Sequence, residues 1–441
     1  MNLFSTFRAL RRQRTVLALT LILCTASAHA QLRLPPIGGP GLPLGQLGND
    51  LLREPATRLL SARDLRDLPD VRGVRLDRLN ALLTRHRDVL EADPRGDPAV
   101  RREIVAWSPS PAGLAAAAAI GLTIVRERRL DGLDETVVVL QVPSGTATAE
   151  MLALLRGRDP AGSYDFNHVY MGSGAAAPAP ALAAEATAAR AAGTGPRVGL
   201  VDSGVDARHE VFRNASIAQW GCEQPHPDQH GTAVAALMVG RSDNFQGVAP
   251  SARLYAADIY CDNGAGGSAE RIAGALAWMA REQVGVVNLS IVGPPNQTLE
   301  RVVGAMVKRG HLLVAAVGND GPAALALYPA SYPGVVGVSA VDRRGRVLPE
   351  AGRGPQVMFA APGNNMVSAA PGEPPFRQVR GTSFAAPIVA ALLASALPQP
   401  DQAGAARALA TLAATARDGA SGETGKGVVG QAFRIDPQRL K

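Results

Sequence analysis

The chain has 441 residues, of which 46% are hydrophobic and 19% charged. That length suffices for two or three domains with a large core, in a soluble globular composition. Lys and Arg exceed Asp and Glu by 45 to 38, but four unopposed arginines fall within residues 1–30, so the excess implies no basic face for nucleic acid.

Those first 30 residues have their own explanation. Arg8, Arg11, Arg12 and Arg14 precede an apolar run from Val16 to Cys24, and Ala28-His29-Ala30 supplies small residues around a cleavage point. The pattern predicts a secretory signal over 1–30, cut before Gln31. The apolar run is shorter than the ~20 residues of a membrane span, so no stable membrane anchor is expected after removal. Cys24 leaves with the signal. Cys222 and Cys261 remain, and an oxidising compartment allows them to pair; two unpaired buried thiols are the competing reading.

Residues 31–50, rich in Pro, Gly and Leu, read as a linker. A charged helical region follows over 51–102, with an amphipathic helix at 74–91 from the spacing of Val74, Leu76, Leu79, Leu82, Leu83, Val89 and Leu90. Residues 103–171 alternate compactly. Strands at 104–107, 123–128, 136–142 and 164–170 enclose helices at 111–120 and 148–155, in the order βαββαβ of a small ferredoxin-like α+β unit. Nothing in that unit offers a catalytic constellation. An Ala-rich stretch over 172–195 reads as a cleavable linker.

From 196 to 437 the texture becomes α/β. Short apolar strands alternate with helices, which predicts a mostly parallel sheet covered on both faces in three layers. Four sites stand at element boundaries here. Asp202 follows the first strand in Val201-Asp202-Ser203-Gly204, and strand ends in such sheets are where ligand chemistry collects. His230 opens a helix in Asp228-Gln229-His230-Gly231-Thr232. Asn319 ends a strand in Ala316-Val317-Gly318-Asn319. Ser383 begins a helix of small residues in Gly381-Thr382-Ser383-Phe384-Ala385-Ala386-Pro387. Gly381 permits close approach, and Pro387 is tolerable in a first helical turn. A serine hydroxyl is a poor nucleophile until a base takes its proton, and a neutral imidazole can do so near pH 7. A buried carboxylate sets the imidazole tautomer, and an amide can donate to the oxyanion that forms.

Asp, His and Ser in this order, with Asn between the last two, resemble the subtilisin-like serine peptidases (subtilases, the S8 peptidase family). The resemblance runs from about Gly195 to Leu397. It implies a subtilisin-like three-layer fold and a serine endopeptidase. Asp202 would orient, His230 act as general base and acid, Ser383 attack, and Asn319 donate to the oxyanion. The βαββαβ unit resembles the family's propeptide, which assists folding and occupies the cleft as an intramolecular inhibitor until it is cut. Ser290-Ile291-Val292-Gly293 resembles the segment that pairs with substrate backbone and forms one wall of the first specificity pocket; Ala316-Val317-Gly318 resembles the other wall. Many relatives have two glycines where this chain has Val292-Gly293, and a smaller residue where it has Val317, so a preference for small to medium apolar side chains is expected. A disulfide between Cys222 and Cys261 would clamp the loops of the cleft.

Other motifs weigh less. Gly264-Ala265-Gly266-Gly267-Ser268-Ala269 matches a dinucleotide loop, but the next strand ends without the acid that would hold a ribose, so a rim of the cleft is expected there. His209 reads as structural and His226, in Pro225-His226-Pro227, as solvated. Relatives often bind structural calcium, but Asp206, Asp228, Asp258 and Asp262 lack an EF-hand-like spacing, so no cofactor and no metal site are expected. The reading is a secreted or periplasmic enzyme made as a pre-pro-protein, monomeric, acting on proteins or peptides. Two rivals remain: a catalytically inactive binding or scaffold protein of the same fold, and a serine esterase. The latter usually shows G-x-S-x-G and the order Ser…Asp…His, neither of which occurs around Ser383.

Overall fold

A computed structural model describes residues 71–172, 195–261, 263, 267–417 and 421–440. They belong to one compact unit, Arg66–Lys441. The expected signal, the 31–50 linker and residues 173–194 of the Ala-rich linker lie outside the described residues.

The chain enters through helix α1 (Val71–Arg85) and strand β1 (Leu90–Ala92). The helix expected at 74–91 thus stops at Arg85, because a turn at His86–Val89 hands Leu90 to a pairing with Val100. Four antiparallel strands follow: β2 (Pro98–Trp107), β3 (Thr123–Leu130), β4 (Glu135–Gln141) and β5 (Ser163–Gly172), in the order β5-β2-β4-β3. Helices α2 (Pro111–Ala119) and α3 (Thr148–Arg158) connect them. Their shared core includes Ile104, Ala117, Leu140, Leu152, Leu155 and Tyr164. Ser110 caps α2 by accepting from the Gly113 N–H (3.0 Å), and Pro111 takes the first helical position, where no N–H is needed. The strand expected at 104–107 begins six residues earlier, and Gly172 belongs to β5 rather than to the linker.

The second part is built on a seven-stranded parallel sheet. Its strands are β6 (Arg197–Asp202), β7 (Ser216–Trp220), β8 (Arg253–Asp258), β10 (Val286–Leu289), β12 (Leu312–Ala316), β13 (Val336–Val341) and β14 (Val357–Pro362), in the order β14-β13-β12-β10-β6-β8-β7. The central strands are buried on both faces, which is why they read as near-continuous apolar runs. Helices α4 (Gln229–Val239) and α7 (Thr382–Ala396) cover one face, through Val234, Ala235, Phe384, Ile388 and Val389. Helices α5 (Ala269–Arg281) and α6 (Gln297–Lys308) cover the other, through Ile272, Leu276, Val302 and Met306. The result is a subtilisin-like three-layer α/β fold. The antiparallel pair β15 (Met366–Ala369) and β16 (Phe376–Val379) and the C-terminal helix α8 (Gln402–Ala414) complete it.

The two parts meet over α5 and α6. The Asp165 carboxylate accepts from the Gln297 N–H at the start of α6 (2.7 Å), and Asn167 Oδ1 accepts from the Glu270 N–H at the start of α5 (3.2 Å). Both use backbone donors that a helix start leaves unpaired. The strand β5 runs on between two short strands of the second part. Ile291–Val292 (β11) pair antiparallel with Gly172 and Met171; Gly267–Ser268 (β9) pair with Tyr170 and Val169 on the other side.

Candidate active site

Asp202 is the last residue of β6, at the carboxyl end of the parallel sheet, and is 1% exposed. Its Oδ1 accepts from the Ser203 N–H (2.7 Å) and lies 2.7 Å from His230 Nδ1. Facing a carboxylate, Nδ1 carries the proton, which leaves Nε2 as the basic nitrogen. Nε2 is buried with no hydrogen-bond partner among the described residues. Asp228 caps α4 by accepting from the His230 N–H (2.8 Å), and the Ser203 hydroxyl ties the two segments, donating to Asp228 Oδ1 (2.7 Å) and accepting from the Gly231 N–H (3.0 Å). Burial opposes protonation of His230, but the charge and hydrogen bond of Asp202, with the charge of Asp228, outweigh it and raise its pKa above the ordinary imidazole value.

The other two sequence sites arrive from the far side of the cleft. Thr382 opens α7 and Ser383 follows it in the first turn. Phe384 turns its ring toward His230, with centroids 5.4 Å apart. The Thr382 N–H donates to Asn319 Oδ1 (3.0 Å), so the acceptor end of that amide is fixed beside the helix start. Nδ2, the donor end, lies 3.0 Å from where a Cβ on Gly381 would stand, and Gly381 has φ 125°, so both space and backbone call for glycine. The Thr382 hydroxyl accepts from the Gly318 N–H (3.2 Å), and Ser290 Oγ donates to the Ser383 carbonyl (3.0 Å). Asn288 supports Ser290 in turn, Nδ2 to Oγ, at 2.8 Å. The structure thus brings Asp202, His230, Asn319 and the start of α7 to one end of the sheet. Ser203, Asn288 and Thr382, which hold these groups, lie within or beside the quoted sequence segments, but the sequence reading gives them no role of their own.

A model of the subtilase family matches residues 193–429, more than half of the chain. The chain belongs to the subtilase family. It is 36% identical over 208 residues to a thermostable alkaline protease of Halalkalibacterium halodurans, covering 46% of this chain and 56% of that one. To subtilisin Savinase of Lederbergia lenta it is 34% identical over 203 residues, covering 45% and 74%. The match thus spans about half the length of most of these curated relatives. Among solved structures, fervidolysin from Fervidobacterium pennivorans, a keratinolytic enzyme related to subtilisin, shares the fold with a TM-score of 0.61 at 20% identity, over 78% of this chain and 62% of that one.

In this subtilase, Ser290-Ile291-Val292-Gly293 borders β5 directly. Gly293 lies flat against the ring of Tyr170, and a Cβ there would come within 2.5 Å of Tyr170 Cδ1. Tyr170 is fully buried and donates its hydroxyl proton to the Pro294 carbonyl (2.7 Å). Ala316 ends β12, and Val317 and Gly318 follow it. Val317 is a core residue, 2% exposed, its Cγ1 only 3.2 Å from where a Cβ on Gly337 would sit. The crowding of Gly318 comes from Val292 and from Leu327, which the sequence did not single out. A Cβ on Gly318 would stand 3.6 Å from Val292 Cγ1 and 2.5 Å from Leu327 Cδ1.

Cys222 and Cys261 are joined as a disulfide, their Cα atoms 5.6 Å apart. His209 is structural: Nδ1 accepts from the Val211 N–H (3.3 Å), and Nε2 donates to the Pro375 carbonyl (2.8 Å). His226 departs from its reading as a solvated loop residue. It is half-buried, and its Nδ1 is shielded and has no partner among the described residues. Of the dinucleotide-like stretch, residues 264–266 lie outside the described residues. Gly267–Ser268 pair with β5, and Ser268 caps α5 by accepting from the Arg271 N–H (3.3 Å). No helix among the described residues is long and apolar enough to cross a membrane.

Proposed function

We propose that this subtilase is a secreted or periplasmic serine endopeptidase, made as a pre-pro-enzyme, that hydrolyses protein and peptide substrates. The observation that carries the reading is an extended strand of the chain itself, β5, paired with Ile291–Val292 and passing beside the imidazole of His230. A peptide substrate would add itself to the same sheet edge, its main chain held by backbone hydrogen bonds and its side chains alternating into pockets.

In this mechanism His230 Nε2 takes the proton of the Ser383 hydroxyl as the oxygen attacks the scissile carbonyl, then delivers it to the leaving amine. Asp202 holds the tautomer and stabilises the imidazolium without itself being protonated. Asn319 Nδ2 and the backbone N–H of Ser383 donate to the oxyanion. Residues 71–172 act as the propeptide, an intramolecular inhibitor whose last strand fills the cleft until the chain is cut beyond Gly172. The packing of Val292 and Leu327 around Gly318 favours small to medium apolar side chains at the residue whose carbonyl is attacked; a library cleaved best after Phe or Arg would refute this. The enzyme works as a monomer without a cofactor.

Labelling with a fluorophosphonate probe, compared with Ser383→Ala, tests the nucleophile. Labelling of the parent alone supports an active enzyme, and no labelling of the processed parent favours the scaffold reading. Faster turnover of a short-chain ester than of casein would favour an esterase.

A further inference from the structure

The disulfide sits in a set of groups that it does not use. Asp258 ends β8 directly across from Asp202, the two being register partners. Its Oδ1 accepts from the N–H groups of Tyr260 and Cys261, both at 2.9 Å, which pins the carboxylate over the turn that carries Cys261. Its Oδ2 is buried without a partner among the described residues, although Asp258 is only 8% exposed. His226 Nδ1 is orphaned in the same way. Two such atoms on residues of one cluster are unusual, because buried polar groups are nearly always paired and an unpaired one costs about 1–3 kcal/mol. A ring nitrogen of His226, a carboxylate oxygen of Asp258 and the sulfurs of Cys222 and Cys261 all lie within 4.8 Å of one another. A cavity of about 170 Å³ opens beside them, lined by Gly204, Trp220, Cys222, His226 and Asp258 among others. Gly204 keeps it open: a Cβ there would come within 2.9 Å of Asp258 Oδ2.

We propose that Cys222, His226, Asp258 and Cys261 form a four-coordinate zinc site in the thiol state of the chain, alternating with the disulfide. Two thiolates, one imidazole and one carboxylate are a tetrahedral donor set for a borderline-soft divalent ion, and sulfur ligation disfavours calcium and magnesium. With the S–S bond broken, the sulfurs can part to the ~3.8 Å that two Zn–S bonds of ~2.3 Å impose in tetrahedral geometry. The ion's two positive charges against three ligand negative charges leave one in excess. Arg271 answers it, with Nη2 2.9 Å from Cys261 Sγ and donating to the Gly221 carbonyl at 2.7 Å. With a phosphine reductant, the S–S bond accepts two electrons from phosphorus, water supplies the phosphine oxygen and the two thiol protons, and zinc then displaces those protons to solvent. Reoxidation by a disulfide-bearing molecule reforms the bond, expels the ion and leaves that molecule as two thiols.

Either linkage fixes the segment 221–228 that leads into α4. That segment is tied to the Asp202 loop at the Gly204–Pro227 bridge and by the Asp228 N–H to the Gly204 carbonyl (2.9 Å). The zinc form would therefore hold His230 in place in a chain that has not yet been oxidised.

The test uses the full-length chain carrying Ser383→Ala, which prevents self-digestion. It is reduced with a phosphine, mixed with zinc chloride, desalted and assayed for metal. About one zinc per chain is expected after reduction and almost none in the oxidised chain. His226→Gln and Asp258→Asn should each weaken zinc retention at least ~10-fold, and the Cys222→Ala/Cys261→Ala double variant should abolish it. Cobalt in place of zinc should give a thiolate-to-metal charge-transfer absorption in the reduced chain alone. Circular dichroism guards against loss of the fold: if reduction unfolds the chain, zinc should restore the folded spectrum. The proposal is overturned if the reduced chain retains no zinc, if the oxidised chain or the double cysteine variant retains as much, or if the reduced chain stays unfolded with zinc present.

Discussion

Gly172 lies against the imidazole of His230: a Cβ on the glycine would stand 3.8 Å from both Cε1 and Nδ1 of the ring. Strand β5 therefore covers the proposed base, and the intact chain should be inactive toward added substrate. The expected outcome is a precursor that gains activity only as residues 71–172 are released, with a new N-terminus between residues 173 and 196. N-terminal sequencing of the active form checks this, and an N-terminus before Tyr164 in a fully active enzyme would contradict it. Ser383→Ala should remain full length.

Asn319 and Ser383 should differ in what their loss costs. Asn319→Ala removes the proposed oxyanion donor, so turnover should fall roughly 10²–10³-fold with little change in KM, the magnitude known for the matching donor in subtilisin. Ser383→Ala removes the proposed nucleophile and should cost about 10⁶, again by the subtilisin scale. Equal losses from the two variants, measured on one peptide substrate after the propeptide is supplied and cleared in the same way, would argue against their separate roles.

The pH profile follows from the raised pKa of His230. The base must be neutral to accept the Ser383 proton, so kcat/KM falls as pH drops through that pKa. Because the Asp202 charge lifts it, the acid limb should lie above the ~6.5 of an ordinary imidazole. Asp202→Asn should move that limb to lower pH while cutting turnover by about 10⁴ through the wrong tautomer. An acid limb unmoved by Asp202→Asn would mean that another group sets it.

Within the proposed propeptide, Tyr170 is the anchor. It is fully buried against Gly293, with its hydroxyl donating to the Pro294 carbonyl. Tyr170→Ala should weaken propeptide retention by about 3–5 kcal/mol, the usual cost of deleting a buried aromatic side chain, and the cut propeptide should leave sooner. Tyr170→Phe should cost only about 1 kcal/mol, for the lost hydroxyl contact. Mature enzyme should prefer substrates with an aromatic side chain at the equivalent position, and a positional library reads this directly.

Much of this protein is legible along the chain. Asp202, His230, Asn319 and Ser383 each stand in a short motif at the end of a strand or the start of a helix, because the chemistry constrains residue type and backbone together there. The βαββαβ order read over 103–171 shows in the switch between two-residue and helical periodicity. The parallel sheet shows in its unbroken apolar strands, which must be buried on both faces.

What the chain could not display is which side chains end up together. A pairing of Cys222 with Cys261, 39 positions apart, is expected from the sequence, but not their meeting with His226 and Asp258, which follows because β7 and β8 lie side by side and their loops emerge at one end of the sheet. The direction of Val317 was equally hidden: strand alternation narrows it to two faces, and only the packing against Gly337 chooses the core. The passage of Gly172 past His230 depends on β5 entering between β9 and β11, elements about 100 residues further on. Residue type is a local property, set by the chemistry that each position must perform or tolerate. Convergence is set by crossover connections and by which strand edges remain open for pairing, and these exist only once the whole sheet has formed.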